Sequence, residues 1–407
     1  MQKEVKGQKN EASAETDHVK SLAIWLERRG HPPGTIHNYT RLARKFVRWV
    51  AATERSIGKL CATDLDCYAA YLESSGHWRH RGRRGCNYYT SARHLVTCLQ
   101  DGGEATKCCG TQSPGDRLLV RFQQWTRSHR GLMDATIRNY SGVVRELIDA
   151  LGSDPADYSA RDLRAFVLDR ARRHGPASAE RVVTAVRVFL RYLVAIGDCP
   201  AGFEHAIPSV AKWRLARLPA YLPAEDIERV VRSTDPGTAV GARDHAVLLL
   251  LARLGLRASD IALMKLDDLY WKQSRLRVCG KGRREAWLPL PQDVGDAILH
   301  YLDAGRPATA SARLFLLSRP PFAPMEPHVV CQIARRGLRR AQVETPTRGV
   351  RVFRHSLATT MLRSGVPLQT IASVLRHHCI DTTLHYTKVD VEMLKRVAAP
   401  WPGGTSC

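Results

Sequence analysis

The chain has 407 residues and a hydrophobic share of 44%, enough to bury a sizeable core and, by length, to form two or three domains. Its 62 Lys and Arg against 39 Asp and Glu leave a formal net charge of +23, which points to a polyanionic partner, nucleic acid first. The polar start Met1-Gln2-Lys3-Glu4-Val5-Lys6 is unlike a secretory signal, and the longest apolar run, Ala246-Val247-Leu248-Leu249-Leu250-Leu251-Ala252, is far shorter than the roughly 18 residues that read as a membrane span. A membrane protein is therefore disfavoured and a cytoplasmic one expected.

In chain order, residues 1–17 are polar and expected to be disordered. A helical pattern then carries Leu22, Ile24, Trp25 and Leu26, breaks at Gly30-His31-Pro32-Pro33-Gly34, and resumes after Thr35-Ile36-His37-Asn38-Tyr39 with Leu42, Phe46, Val47 and Val50 on one side and Arg41, Arg44, Lys45 and Arg48 on the other. The signature returns as Thr136-Ile137-Arg138-Asn139-Tyr140, followed by Val143, Val144, Leu147 and Leu151. The next elements repeat as well. Ala62-Thr63-Asp64-Leu65 opens one helix and Ser159-Ala160-Arg161-Asp162-Leu163 its counterpart, with Thr63 and Ser159 expected as N-caps. A third helix follows in each copy, over Tyr88 to Leu99 and Ser178 to Ile196. Residues 18–110 and 114–200 thus read as two related helical bundles. Tyr39 and Tyr140 are expected in their cores. A loop of the first copy holds the basic cluster His77-Trp78-Arg79-His80-Arg81-Gly82-Arg83-Arg84. Arg79, Arg81, Arg83 and Arg84 are candidate phosphate contacts, weighed against a merely solvated loop.

Six of eleven cysteines (Cys61, Cys67, Cys86, Cys98, Cys108, Cys109) crowd the first 110 residues beside His77 and His80, but no C-x-x-C pair occurs. Reduced thiols in place of disulfides or a zinc site are expected, and so is no metal.

A turn-rich stretch from Gly197 to Pro223, with a linker proper over 201–221, contains Pro200, Pro208 and Pro219. The remainder, 222–400, is expected to be mainly α with one small β element, and 401–407 a tail. Pro223-Ala224-Glu225-Asp226-Ile227 starts a helix, and Arg243-Asp244 begins a buried one ending near Leu254-Gly255-Leu256-Arg257. Two short apolar runs around Gly280-Lys281-Gly282-Arg283-Arg284 predict a β-hairpin. Helices are predicted over Val294 to Leu302, His328 to Ala341, Phe353 to Ser364, Leu368 to Leu375 and Val391 to Val397. The stretch Arg351 to Tyr386 supplies arginines, whose donor forks match phosphate geometry, histidines able to move a proton near neutral pH, and a tyrosine able to act as a nucleophile.

Leu254-Gly255-Leu256-Arg257-Ala258-Ser259-Asp260-Ile261, the hairpin Gly280-Lys281-Gly282, Phe353-Arg354-His355, and Leu375-Arg376-His377 followed by Tyr386 resemble, in order, the motifs of the tyrosine recombinase (phage integrase) family. Each motif alone is weak; the ordered set is specific. The upstream bundles resemble, by pattern, the SAM-like core-binding domain of that family, twice over. The resemblance implies a DNA strand-exchange enzyme that works without metal or ATP. Arg257 and Arg354 would hold the scissile phosphate, Lys281 would protonate the leaving 5′ oxygen, and His355 would assist proton transfer. His377 would hydrogen-bond the phosphate, and Tyr386 would form a 3′-phosphotyrosyl bond. It implies double-stranded DNA as partner, a homo-tetramer on synapsed DNA, accessory recombinase partners, no cofactor, and a role in integration or excision of a mobile element.

The sequence departs from the family pattern at three positions. Arg351 stands where His or Lys is usual, remaining a catalytic-site candidate as a phosphate donor that cannot act as a base. Arg376 replaces the usual Gly, altering the backbone near His377 or adding a DNA contact. Asp260 replaces the more frequent Glu and is expected to orient Arg257. Arg283 and Arg284, beside Lys281, complete the candidate DNA contacts. Two other readings stand beside recombination: an inactive DNA-binding regulator derived from the family, and a type IB topoisomerase-like enzyme.

Overall fold

The computed structural model of the chain describes residues 17–76, 87–105, 113–173, 176–209, 220–279, 285–345, 349–376 and residue 383. The basic loop Arg79 to Arg84, the hairpin tip with Lys281, Arg283 and Arg284, His377, Tyr386 and the predicted helix Val391 to Val397 lie outside them. The chain divides into two compact units, Met1–Leu22 with Asn38–Arg214, and Ala23–His37 with Leu215–Cys407.

The first unit holds both copies of the repeat except residues 23–37 of the first, which are grouped with the second unit. In the first copy, α1 (residues 17–28) is followed by α2 (Pro33–Ala52), α3 (Ala62–Ser74) and α4 (Asn87–Asp101). The spacing of Leu42, Phe46 and Val50 buries one stripe of α2 while Arg41, Arg44, Lys45 and Arg48 stay exposed. Phe46 meets Tyr68 of α3 edge-on at 4.8 Å between ring centroids. The second copy is α5 (Pro114–Arg130), α6 (Asp134–Leu151), α7 (Ala160–Arg173) and α8 (Pro176–Ile196), around Phe122, Val144, Leu147, Leu163, Val186 and Phe189.

The two copies start their third helices differently. Ser159 caps α7 as expected, accepting from the Asp162 amide at 3.1 Å. In α3 the N-cap is Cys61, not Thr63: the Asp64 carboxylate accepts the Cys61 amide at 2.9 Å. The acid three residues in does the capping where the cap residue lacks a hydroxyl. Tyr39 and Tyr140 are half-buried at the core edges. Cys61, Cys67 and Cys98 are free thiols, and among the described residues no cluster of His, Cys, Asp and Glu could hold a metal. No described helix is long and apolar enough to cross a membrane.

The second unit is built around α10 (Ala239–Leu254), whose residues Leu248 to Leu251 are all buried. Packed against it are α9 (Ala224–Arg232), α12 (Gln292–His300), α13 (Pro327–Arg340) and α14 (Arg351–Arg363). The predicted hairpin is present as β2 (Arg275–Cys279) and β3 (Glu285–Pro289), in a register pairing Leu276 with Leu288. A two-residue strand, β1 (Leu269–Tyr270), joins β2 to complete a three-stranded antiparallel sheet. So short a strand has no alternation to read in the sequence. The short α11 (Ala258–Leu263) and α15 (Leu368–Leu375) complete the elements that carry the site.

Two details yield tests of this fold. Ser356 Oγ, buried in α14, accepts the Leu222 amide at 2.8 Å and donates to Val352 O at 2.8 Å, tying the entry of the second unit to the helix that carries Arg354. Ser356→Ala orphans the Leu222 amide and is expected to cost about 1–3 kcal/mol, read from urea unfolding of the full chain. His245 of α10 has Nδ1 2.8 Å from Thr234 Oγ1 and 3.3 Å from Val231 O, and burial pushes its imidazole below the ordinary value of 6.5. The folded state thus binds the proton less well than the unfolded state, so this contribution to stability falls as pH drops below about 6.5. The unfolding midpoint of wild type is expected to fall more between pH 7.5 and 5.5 than that of His245→Gln.

Candidate active site

The described part of the site is assembled at three chain turns. At the first, α10 ends on Gly255 in the left-handed conformation, φ +55°, and its amide returns to Leu251 O at 3.1 Å. Two residues later Arg257 is the N-cap of α11. Asp260, at the third position of α11, accepts the Arg257 amide at 3.1 Å, satisfying a donor that the helix start leaves open.

The second turn is the start of α14, which carries Arg351, Arg354 and His355 within its first two turns. Arg354 is half-buried. Its Nη1 donates to Gly255 O at 2.8 Å and its Nη2 donates to Leu375 O. Arg351 is exposed, three residues before Arg354 and so on the same side of the helix. His355 is half-buried and, one position on, leaves the helix roughly 100° away.

At the third turn, α15 ends on Arg376, itself left-handed at φ 54°, ψ 50°. A non-glycine residue pays roughly 1–2 kcal/mol for that conformation, a physical reason for the Gly that the resemblance leads one to expect here. Arg257 Nη2 donates to Arg376 O at 3.4 Å. Leu375 O and Arg376 O stand at the negative end of α15, where carbonyls lack intrahelical partners. Each takes one guanidinium.

Asp260 sits differently from the sequence expectation. Its described charged partner is not the Arg257 side chain but Arg376, whose Nη2 reaches Asp260 Oδ2. The two side chains are 10% and 3% exposed. Arg376, expected to alter the local backbone or face DNA, does impose an unusual backbone and turns its guanidinium inward. The sequence did not reveal the acceptors, since Gly255 O, Leu375 O and Arg376 O are backbone atoms. Glycine after an apolar helix was the only available signal, and it marked Gly255. Of the other expected residues, Lys281, His377 and Tyr386 lie outside the described residues, as do Arg79, Arg81, Arg83, Arg84, Arg283 and Arg284. Arg257, Arg354 and Arg376 bring three cations together, with Asp260 as the carboxylate among their described partners. Such a surplus of positive charge suits an anion.

Comparison with known proteins shows the family of the chain. A model described as the phage integrase family matches residues 220–393. The chain is 35% identical over 395 residues to y4rA of Sinorhizobium fredii, an integrase/recombinase by name, covering 95% of this chain and 94% of that one. It is 28% identical over 295 residues to the tyrosine recombinase XerD of Listeria innocua, covering 69% and 96%. A crystal structure of the XerH site-specific recombinase, bound to palindromic difH substrate in a post-cleavage complex, has the same fold, with TM-score 0.56 at 15% identity over 83% of this chain and 95% of that one. The family match and these relatives define a DNA strand-breaking and rejoining enzyme. The chain belongs to the phage integrase family and is a tyrosine-type site-specific recombinase.

Gly255 provides a direct test of the local geometry. A Cβ there would stand 3.1 Å from Leu357 Cδ2 and from Leu375 Cδ2, on a backbone that disfavours any side chain. Gly255→Ala is expected to destabilise the protein by about 1 kcal/mol or more. It should also slow DNA cleavage at least tenfold, by moving Gly255 O away from Arg354, as read by melting and single-turnover cleavage.

Proposed function

We propose that the chain cleaves and rejoins double-stranded DNA through a 3′-phosphotyrosyl intermediate, without metal or ATP, in integration or excision of a mobile element. The observation that carries this reading is the convergence of Arg257 and Arg354 on the carbonyls at the end of α15, immediately before His377. Guanidinium has five N–H donors. Anchoring on carbonyls fixes its plane, and a donor fork oriented in this way suits non-bridging phosphate oxygens, stabilising the charge that builds at phosphorus.

In the reaction, Tyr386 Oη attacks the scissile phosphorus and the bond from phosphorus to the 5′ oxygen breaks. His355 accepts the phenolic proton, Lys281 donates one to the departing 5′ oxygen, and His377 hydrogen-bonds the phosphate with Arg351 as a further donor. The new ester keeps the energy of the phosphodiester, so a 5′ hydroxyl from a second strand reverses the step without ATP. The fixed cations supply what metal ions supply in other phosphoryl-transfer sites. Each strand cut consumes one tyrosine, and exchange between two duplexes cuts two strands of each, so the reacting assembly is a homo-tetramer on synapsed DNA.

The net charge of +23 supports a DNA grip by the exposed basic face of α2 and by the basic loops, with Arg79, Arg81, Arg83, Arg84, Arg283 and Arg284 contacting phosphates. Residues 18–110 and 114–200 are the DNA-binding bundles of this reading, and 222–400 its catalytic domain.

The test is covalent capture. From a library of nicked random duplexes, wild type is expected to retain a defined sequence through a detergent-resistant bond, and Tyr386→Phe is expected to retain none. An adduct with the Phe variant, or none with wild type, contradicts the mechanism. Relaxation of plasmid of any sequence would favour a topoisomerase.

A further inference from the structure

Arg376 raises a question that the reaction itself leaves open. The family pattern places glycine here, the backbone adopts the conformation glycine favours, and this chain nevertheless carries its longest cationic side chain at the position. That side chain is nine-tenths buried and is aimed at Asp260, away from solvent. Its Nε and Nη1 are buried with no hydrogen-bond partner among the described residues.

The contacts form a closed circuit. The Arg257 amide donates to Asp260, Asp260 takes the Arg376 guanidinium, and Arg376 O takes the Arg257 guanidinium at 3.4 Å. Arg257 is therefore held at both ends, its main chain by Asp260 and its side-chain tip by Arg376 O, and the Arg376 guanidinium joins those two holds to each other. The preceding carbonyl, Leu375 O, takes Arg354, so the same corner also sets the second guanidinium. A glycine at 376 would permit the turn but supply no strut from it to α11.

We propose that Arg376 is a positioning residue for the reaction: through Asp260 it locks the carbonyl corner that orients Arg257 and Arg354, and it does so without touching DNA. The inference rests on the reading of those two arginines as phosphate ligands. It also assigns Asp260 its role, as the link between α11 and the end of α15. A carboxylate one methylene shorter than the Glu more frequent in the family accepts the Arg257 amide within its own helix turn, and Arg376 reaches in to meet it. Asp260 and Arg376 then depend on each other, since either charge alone would be left buried and uncompensated.

The experiment uses the full chain on the captured nicked duplex, measuring DNA affinity at several salt concentrations and, separately, the single-turnover rate of covalent adduct formation. Arg376→Gly is expected to slow adduct formation at least tenfold while DNA affinity stays within about twofold of wild type and its salt dependence is unchanged, the signature of a residue that makes no phosphate contact. Arg376→Lys, which keeps the charge opposite Asp260, is expected to recover a substantial part of the rate. Asp260→Asn should match Arg376→Gly, and the double variant should be no slower than either single one. This pair keeps the inference testable if the glycine variant fails to fold.

Adduct formation at the wild-type rate by Arg376→Gly or Asp260→Asn would overturn the inference. So would a weakened affinity in Arg376→Gly with a log–log salt slope smaller by about one, which would make Arg376 a DNA contact. Failure of wild type to form any adduct is a distinct result: it removes the phosphate-ligand reading itself, and this inference with it.

Discussion

Two guanidinium groups held on the carbonyls of one helix end are the interaction on which the site depends. Arg257 and Arg354 come from segments almost a hundred residues apart, and like charges in a half-buried site repel. The end of α15 offers Leu375 O and Arg376 O at the negative pole of the helix. These acceptors orient the arginines without neutralising them. Carboxylates in the same places would orient them as well, but would also cancel the charge on which the proposed phosphate grip relies.

The rest of the second unit serves this arrangement. The buried α10 is a fixed floor, and its left-handed end at Gly255 aims a third carbonyl at Arg354. Ser356, two residues after Arg354, is fastened to the start of the unit through Leu222, so α14 has little freedom to rotate. Asp260 then joins α11 to the end of α15. Arginine side chains are long and flexible, yet Arg257 and Arg354 are each held at the tip by backbone carbonyls. Such preorganisation is where enzymes of this kind gain most of their transition-state stabilisation.

Much of this was legible in the sequence, for identifiable reasons. Helices such as α2, α6 and α13 carry apolar residues at a clear 3.6-residue period, and Pro and Gly mark their ends. The repeat was visible because Asn38-Tyr39 and Asn139-Tyr140 occupy equivalent helix starts. The hairpin was visible because Leu276 and Leu288 sit in matching alternations. What was missed lacked a side-chain signal: β1 is two residues long, the Cys61 cap acts through its backbone amide, and the acceptors for both arginines are carbonyls. The pairing of Asp260 with Arg376 was hidden for another reason. Each reads in the sequence as a separate departure from the family pattern, and only the structure brings the two into contact, 116 residues apart in the chain.

The central claim is that Arg354, fixed on Gly255 O and Leu375 O, counters the charge of the scissile phosphate, and replacing one non-bridging oxygen of that phosphate by a methyl group tests it most directly. On a nicked duplex with the ordinary diester, Arg354→Ala should slow covalent adduct formation by about 100-fold or more. On the uncharged methylphosphonate, which has no such need of a cation, the account predicts that wild type and Arg354→Ala react at nearly equal rates. An undiminished penalty on the methylphosphonate would show that Arg354 acts by some means other than charge and contradict the account.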